Sequence, residues 1–107
     1  MITLSSHVLD TTAGKPVANL PLTLTTPSGA TFSAYTDADG RCKDFGISAF
    51  TAGTYALRFH CYNYLISQHG QSFYPHIDIA FELTDNGGHY HVPLLISPFG
   101  FSSYRGS

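Results

Sequence analysis

His89-Tyr90-His91-Val92-Pro93-Leu94-Leu95-Ile96-Ser97 is the stretch on which the reading of the fold turns. A strand repeats every two residues, so Tyr90, Val92, Leu94 and Ile96 share one face, and His89, His91, Pro93 and Leu95 share the other. The first is a core face. The second carries imidazole, proline and leucine and no charged residue, where a strand facing bulk water would carry charge. The opening segment behaves the same way, with Leu4, Ser6 and Val8 alternating against Ser5, His7 and Leu9. The closing segment groups Gly100, Ser102, Tyr104 and Gly106. Three strands therefore share a mildly apolar outer surface containing His7, His91 and Tyr104. Such a surface packs against a second subunit or lines a cleft.

Strand signals dominate the rest of the chain. Leu20 to Thr26 alternates, Pro27-Ser28-Gly29 turns it, and Ala30 to Thr36 returns as the second strand of a hairpin. Asp37-Ala38-Asp39-Gly40 is a turn, followed by a short edge strand at Arg41-Cys42-Lys43. Thr54 to His60 sets Tyr55, Leu57 and Phe59 inward. Pro75 to Leu83 does so with Ile77, Ile79, Phe81 and Leu83. Cys61 to Gly70 alone reads as a helix, with Tyr62, Leu65 and Ile66 at i, i+3 and i+4 and Gly70 at the C-cap. About eight short strands and one short helix in 107 residues predict an all-β sandwich, a single domain spanning residues 1–107.

Composition narrows the partners. Charged residues are 11% of the chain and aromatics 14%, against roughly 25% charged in an ordinary soluble domain. That balance argues against disorder and for a surface partly covered by an oligomer. The formal charge is −2 and no basic stripe exists, so no nucleic-acid partner is expected. No apolar run approaches the ~20 residues that span a bilayer, so no membrane role is expected. No signal peptide is visible at the N-terminus, which fits a cytoplasmic protein, or a periplasmic one whose leader has been removed. Cys42 and Cys61 are expected to be free thiols.

Six histidines against five Lys and Arg is the unusual ratio. Lone histidines on secondary structure are mostly structural, the expectation for His60, His69 and His76, and His69→Ala is expected to be nearly silent. His7 and His91 differ, because they occupy matching outer faces. His89 and His91, two apart, also make a plausible metal pair with His7 as third ligand, but no Cys or carboxylate stands at a recognisable spacing. No Gly-x-Ser-x-Gly elbow and no Gly-rich phosphate loop is present.

Ser6-His7-Val8-Leu9-Asp10 followed by Gly14-Lys15-Pro16 resembles the opening of the transthyretin-like proteins. Tyr90 to Ser102 resembles their second signature. Tyr104-Arg105-Gly106-Ser107 resembles the ending of the enzyme branch, the 5-hydroxyisourate hydrolases, and Thr36-Asp37-Ala38-Asp39-Gly40-Arg41 and Phe73-Tyr74-Pro75 fit the same branch. The similarity covers essentially the whole chain. It departs at Val17, at Ile96, and at the helix start His60-Cys61-Tyr62-Asn63.

This resemblance implies two four-stranded sheets with one short helix, and a homotetramer built as a dimer of dimers. A channel between the dimers would be lined by the outer faces described above. It implies hydrolysis of 5-hydroxyisourate to 2-oxo-4-hydroxy-4-carboxy-5-ureidoimidazoline, a step of urate degradation, at His7, Arg41, His91 and Tyr104. The hormone-carrying branch lacks these four residue types. It remains the alternative reading, as a binder of a small aromatic ligand without chemistry. For the hydrolysis, histidine suits proton transfer near neutral pH, so His7 and His91 are expected to activate water and deliver the proton. Arginine, always charged and forked, suits a developing oxyanion and a flat polar substrate, so Arg41 is expected to bind and stabilise it. Tyr104 is expected to line and close the pocket. No cofactor and no metal are expected.

Overall fold

In the computed structural model, which describes residues 1–107, two sheets face each other across one core. The first sheet contains β1 (Thr3–Asp10), β2 (Lys15–Pro16), β5 (Arg41–Cys42), β8 (His89–Ser97) and β9 (Gly100–Ser103). Its order is β2-β1-β8-β9, with β5 also paired to β1. The second contains β3 (Pro21–Thr25), β4 (Thr31–Tyr35), β6 (Gly53–Phe59) and β7 (Ile77–Leu83), in the order β4-β3-β6-β7. The expected sandwich of two four-stranded sheets with one helix is thus present, the first sheet gaining a fifth, two-residue member.

Alternation built the core. Leu4, Val8, Leu22, Leu24, Leu57, Phe59, Leu94 and Ile96 are buried from both sheets. β1 and β8 run parallel in a register that pairs Ser5 with His91 and His7 with Pro93. That register sets the outer faces of the two strands side by side. β8 and β9 are antiparallel, pairing Leu94 with Ser103 and Leu95 with Ser102. Continued by one residue, the register sets Pro93 opposite Tyr104. Proline has no N–H to give, and the ladder lapses over Tyr104 and Arg105 before resuming where the Gly106 N–H donates to the His91 carbonyl at 2.8 Å.

The edge strand β7 departs from the expected pattern. Ile77 and Leu83 are buried, but Ile79 and Phe81 are only half-covered. They line a recess of about 700 Å³ with Tyr90, Phe101, Tyr104 and Arg105, where β7 and β9 form the open side of the sandwich.

The helix α1 (Tyr62–His69) is correctly placed, but its inward face is not the one expected. Leu65 is fully buried, whereas Tyr62 and Ile66 are 45% and 38% exposed. The inward set is Cys61, Tyr64, Leu65 and His69. The cause is Asp10, whose side chain is buried at the end of β1. One carboxylate oxygen accepts the Thr12 and Ala13 N–H groups at 3.0 and 2.9 Å; the other faces Tyr64 Oη and His69 Nε2, each at 2.7 Å. A buried carboxylate needs donors, and the helix turns Tyr64 and His69 toward it. His69 is therefore structural, as expected, and bears on stability, whereas the expected silence of His69→Ala concerns turnover.

Burial alone would raise the Asp10 pKa, but the bonds from Ala13, His69 and Tyr64 outweigh it and hold the carboxyl below its ordinary value of 3.8. A depressed folded-state pKa gives stability that is present above the unfolded value and lost as pH falls through the folded one. Asp10→Ala strands four donors and is expected to cost roughly 2–4 kcal/mol. Thermal melts at pH 7 check the size. Melts repeated below pH 4 should show the gap between wild type and variant closing.

Candidate active site

The turn before β5 delivers Arg41. Asp37 Oδ1 accepts the N–H groups of Asp39 and Arg41 at 2.9 and 3.0 Å, and the Asp37 N–H donates to the Arg41 carbonyl at 2.7 Å. The bond from the Arg41 N–H is the chief cause holding the Asp37 carboxyl below its ordinary value. Gly40 has φ +77°, and a Cβ there would stand 2.7 Å from the Val8 carbonyl oxygen, so the turn must be glycine to lie against β1. β5 then pairs with β1 so that Arg41 lies opposite His7.

Each expected catalytic side chain has a free reactive end. His7 Nε2 is 3.0 Å from the Asp39 carbonyl oxygen. A carbonyl only accepts, so this nitrogen carries a proton, and Nδ1 is left without a partner in the protein. His91 Nδ1 is 2.7 Å from Ser5 Oγ, while its Nε2 has no protein partner and is reached by solvent. Of the three arginines, Arg58 is clamped to Asp78 at 2.8 and 2.9 Å. Arg105 donates to the Gly87 and His89 carbonyls and lies 4.2 Å over the Tyr90 ring. The Arg41 guanidinium is bonded to nothing in the chain, so its full fork of donors faces outward.

Arg41 and His91, far apart in sequence, line one recess of about 340 Å³ on the outer face of the first sheet, with Ser5, Lys43, His89 and Ser107. His7 flanks it, next to Arg41 in the ladder. Burial first, then the charges of His7, His89 and Arg41, hold the His91 imidazole below its ordinary pKa of 6.5. The ring is therefore neutral at pH 7 and able to accept a proton. Gly106 packs against it: a Cβ there would come within 2.5 Å of His91 Cδ2, so the tail fixes the ring by its backbone.

Tyr104 is not brought to this recess within one chain. It is 61% exposed and lines the larger recess between β7 and β9. The three histidines of the alternative metal set do not form a ligand cluster. Both His89 nitrogens are taken by Thr3 and Ser5, and His91 Nδ1 by Ser5. Sequence reasoning gave no part to Ser5, or to Asp37, whose carboxylate shapes the expected turn. Ser5 was placed on the correct face, but only the β1–β8 register shows that it meets His91.

Residues 4–106 match the HIUase/Transthyretin family. The 5-hydroxyisourate hydrolase of Mesorhizobium japonicum is 43% identical over 114 residues, covering 97% of this chain and 91% of that protein. The 5-hydroxyisourate hydrolase of Mus musculus is 37% identical over 111 residues, covering 97% and 94%. Among solved structures, Klebsiella pneumoniae 5-hydroxyisourate hydrolase superposes with a TM-score of 0.86 at 34% identity, over 100% of this chain and 94% of that one. Sea bream transthyretin in complex with thyroxine superposes with 0.85 at 26% identity, over 97% and 94%. The two scores are equal in effect, so shape does not separate the hydrolase from the transthyretin; identity is 34% to the first and 26% to the second.

Proposed function

The chain belongs to the HIUase/Transthyretin family, and on that premise we propose how its residues carry out the reaction. It is an enzyme that hydrolyses 5-hydroxyisourate in urate degradation, as its curated relatives do. Hydrolysis opens the six-membered ring at an amide-type C–N bond and gives 2-oxo-4-hydroxy-4-carboxy-5-ureidoimidazoline. A water must lose a proton as it attacks the carbonyl carbon, the oxyanion must be stabilised, and the leaving nitrogen must gain a proton.

The observation that carries the site assignment is the convergence of free reactive ends: His7 Nδ1, His91 Nε2 and the uncommitted Arg41 fork on one outer face. His7 and His91 handle the proton taken from water and returned to the leaving nitrogen. Arg41 binds the substrate and holds the oxyanion, a service worth about 2.7–4 kcal/mol for one well-placed donor. The substrate carbonyl is already electrophilic, so no metal is needed. Protein exhaustively treated with chelator is expected to accelerate the ultraviolet decay of freshly made substrate as before. A loss of activity restored by zinc would transfer the assignment to the metal reading.

The working unit in this proposal is a homotetramer, a dimer of dimers. β7 and β9 are sheet edges with unpaired backbone groups, and Phe101 and Tyr104 beside them are 41% and 61% exposed. Pairing a second copy there covers both. Packing two outer faces together then encloses the recess of Arg41 and His91 in a channel. Tyr104 acts from that seam, closing the substrate space instead of touching the reacting atoms. Light scattering at micromolar concentration is expected to give four times the 11.6 kDa chain mass. A monomer contradicts the assembly.

A further inference from the structure

The Ser5 hydroxyl stands between two imidazoles. Its Oγ is 2.7 Å from His91 Nδ1 and 3.0 Å from His89 Nε2, and Thr3 Oγ1 is 2.6 Å from the far nitrogen of His89, Nδ1. The parallel register makes this chain, setting Thr3 beside His89 and Ser5 beside His91. A serine hydroxyl has one proton, and a neutral imidazole has one N–H and one lone pair. With the serine proton inside the chain, two arrangements exist. In the first, His91 Nδ1–H donates to Ser5, Ser5 donates to His89 Nε2, and His89 Nδ1–H donates to Thr3; His91 Nε2 then offers a lone pair. In the second every bond is reversed, and His91 Nε2 carries a proton.

We infer that Ser5 is a positioning residue that couples His91 to His89, switching His91 Nε2 from base to acid within one hydrolytic cycle. The inference rests on the hydrolase reading above. As the water oxygen, held through its second proton on the free lone pair of His7 Nδ1, bonds to the carbonyl carbon, the proton facing His91 goes to His91 Nε2. The His91 Nδ1 proton passes to Ser5 Oγ, and the proton Ser5 held passes to His89 Nε2. His91 is again neutral, now with its proton on Nε2, and His89 is the imidazolium. When the C–N bond breaks, Nε2 gives its proton to the leaving nitrogen, and the two inner protons step back. The chain ends as it began.

The advantage is where the charge sits. Around His91 stand His7 from β1, Arg41 on β5 with Lys43 just beyond it, His89 from its own strand, and Ser107. A cation on this half-buried ring, beside Arg41, is disfavoured. His89 is exposed, and water solvates its charge.

The test compares wild type, Ser5→Ala and Ser5→Thr by steady-state kinetics across pH. Ser5→Ala is expected to lower kcat roughly tenfold or more with KM little changed, and Ser5→Thr to restore it. In wild type the acid limb belongs to the coupled pair. Without Ser5 it belongs to His91 alone, whose pKa is depressed, so the limb moves to lower pH. An unchanged kcat, or a lowered kcat with an unmoved limb, overturns the inference. Titration of both imidazoles by ¹⁵N NMR on substrate-free protein gives a readout independent of activity. Curves that are coupled in wild type and independent in Ser5→Ala support the inference. Curves that Ser5→Ala leaves unchanged overturn it, whatever the enzyme does to 5-hydroxyisourate.

Discussion

Arg41→Ala is expected to reduce kcat on 5-hydroxyisourate by about 10²–10³-fold while leaving the melting temperature close to wild type. Arg41 is exposed, and its guanidinium makes no bond within the chain, so removing it strands no partner. The fork is therefore available for substrate, and its loss falls on the step in which negative charge grows on the carbonyl oxygen. Arg58→Ala makes the informative contrast. It breaks the exposed pair with Asp78, on the outer face of the other sheet, and exposed pairs are worth about 0–1 kcal/mol. Activity should be untouched. Kinetics and melts on the two variants check both halves. An Arg41→Ala enzyme with wild-type kcat removes Arg41 from the mechanism.

The second large effect concerns the histidines. His7→Ala and His91→Ala should each lower kcat by at least tenfold, within the 10²–10⁴ that general acid–base help supplies. Their effects should not multiply. If the two rings handle one proton as a unit, losing either already forfeits most of the gain, and the double variant should be little worse than the poorer single variant. Steady-state rates for both singles and the double decide it. A double loss equal to the product of the single losses shows two independent roles. Stability should hold in all three variants, since both rings lie on the outer face and the core beneath is Leu4, Val8, Val92 and Leu94.

Strand positions were legible because burial follows the period that geometry imposes, broken in β8 at Pro93, which is buried instead of facing out, and β8 matches its expected span residue for residue. The outer surface of His7 and His91 was legible for the same reason. The helix face was not. Tyr62, Leu65 and Ile66 form an apolar stripe, yet the helix answers instead to the carboxylate of Asp10, far off in sequence. No local pattern announces a demand made by a residue on another element. Arg41 had the same difficulty: an arginine on a short edge strand after a turn carries no local sign of a site, and only the resemblance pointed to it. Only the pairing of β5 with β1 shows that the turn exists to set that arginine beside His7. Ser5 needed one more step, the parallel register of strands that lie at opposite ends of the chain. The same alternation groups Tyr104 with His7 and His91, but the ladder lapses at Tyr104, and the single chain sets it at the sandwich edge, apart from the recess that holds His91.

The central claim is that this face of the first sheet hydrolyses 5-hydroxyisourate through His7, Arg41 and His91. The most direct measurement is the ultraviolet decay of freshly generated 5-hydroxyisourate with wild type and with the folded His7→Ala/Arg41→Ala/His91→Ala variant, each against the spontaneous rate. The account predicts rapid decay with wild type, and decay at or near the spontaneous rate with the variant. Decay at the spontaneous rate with both, or equal acceleration by both, would contradict it.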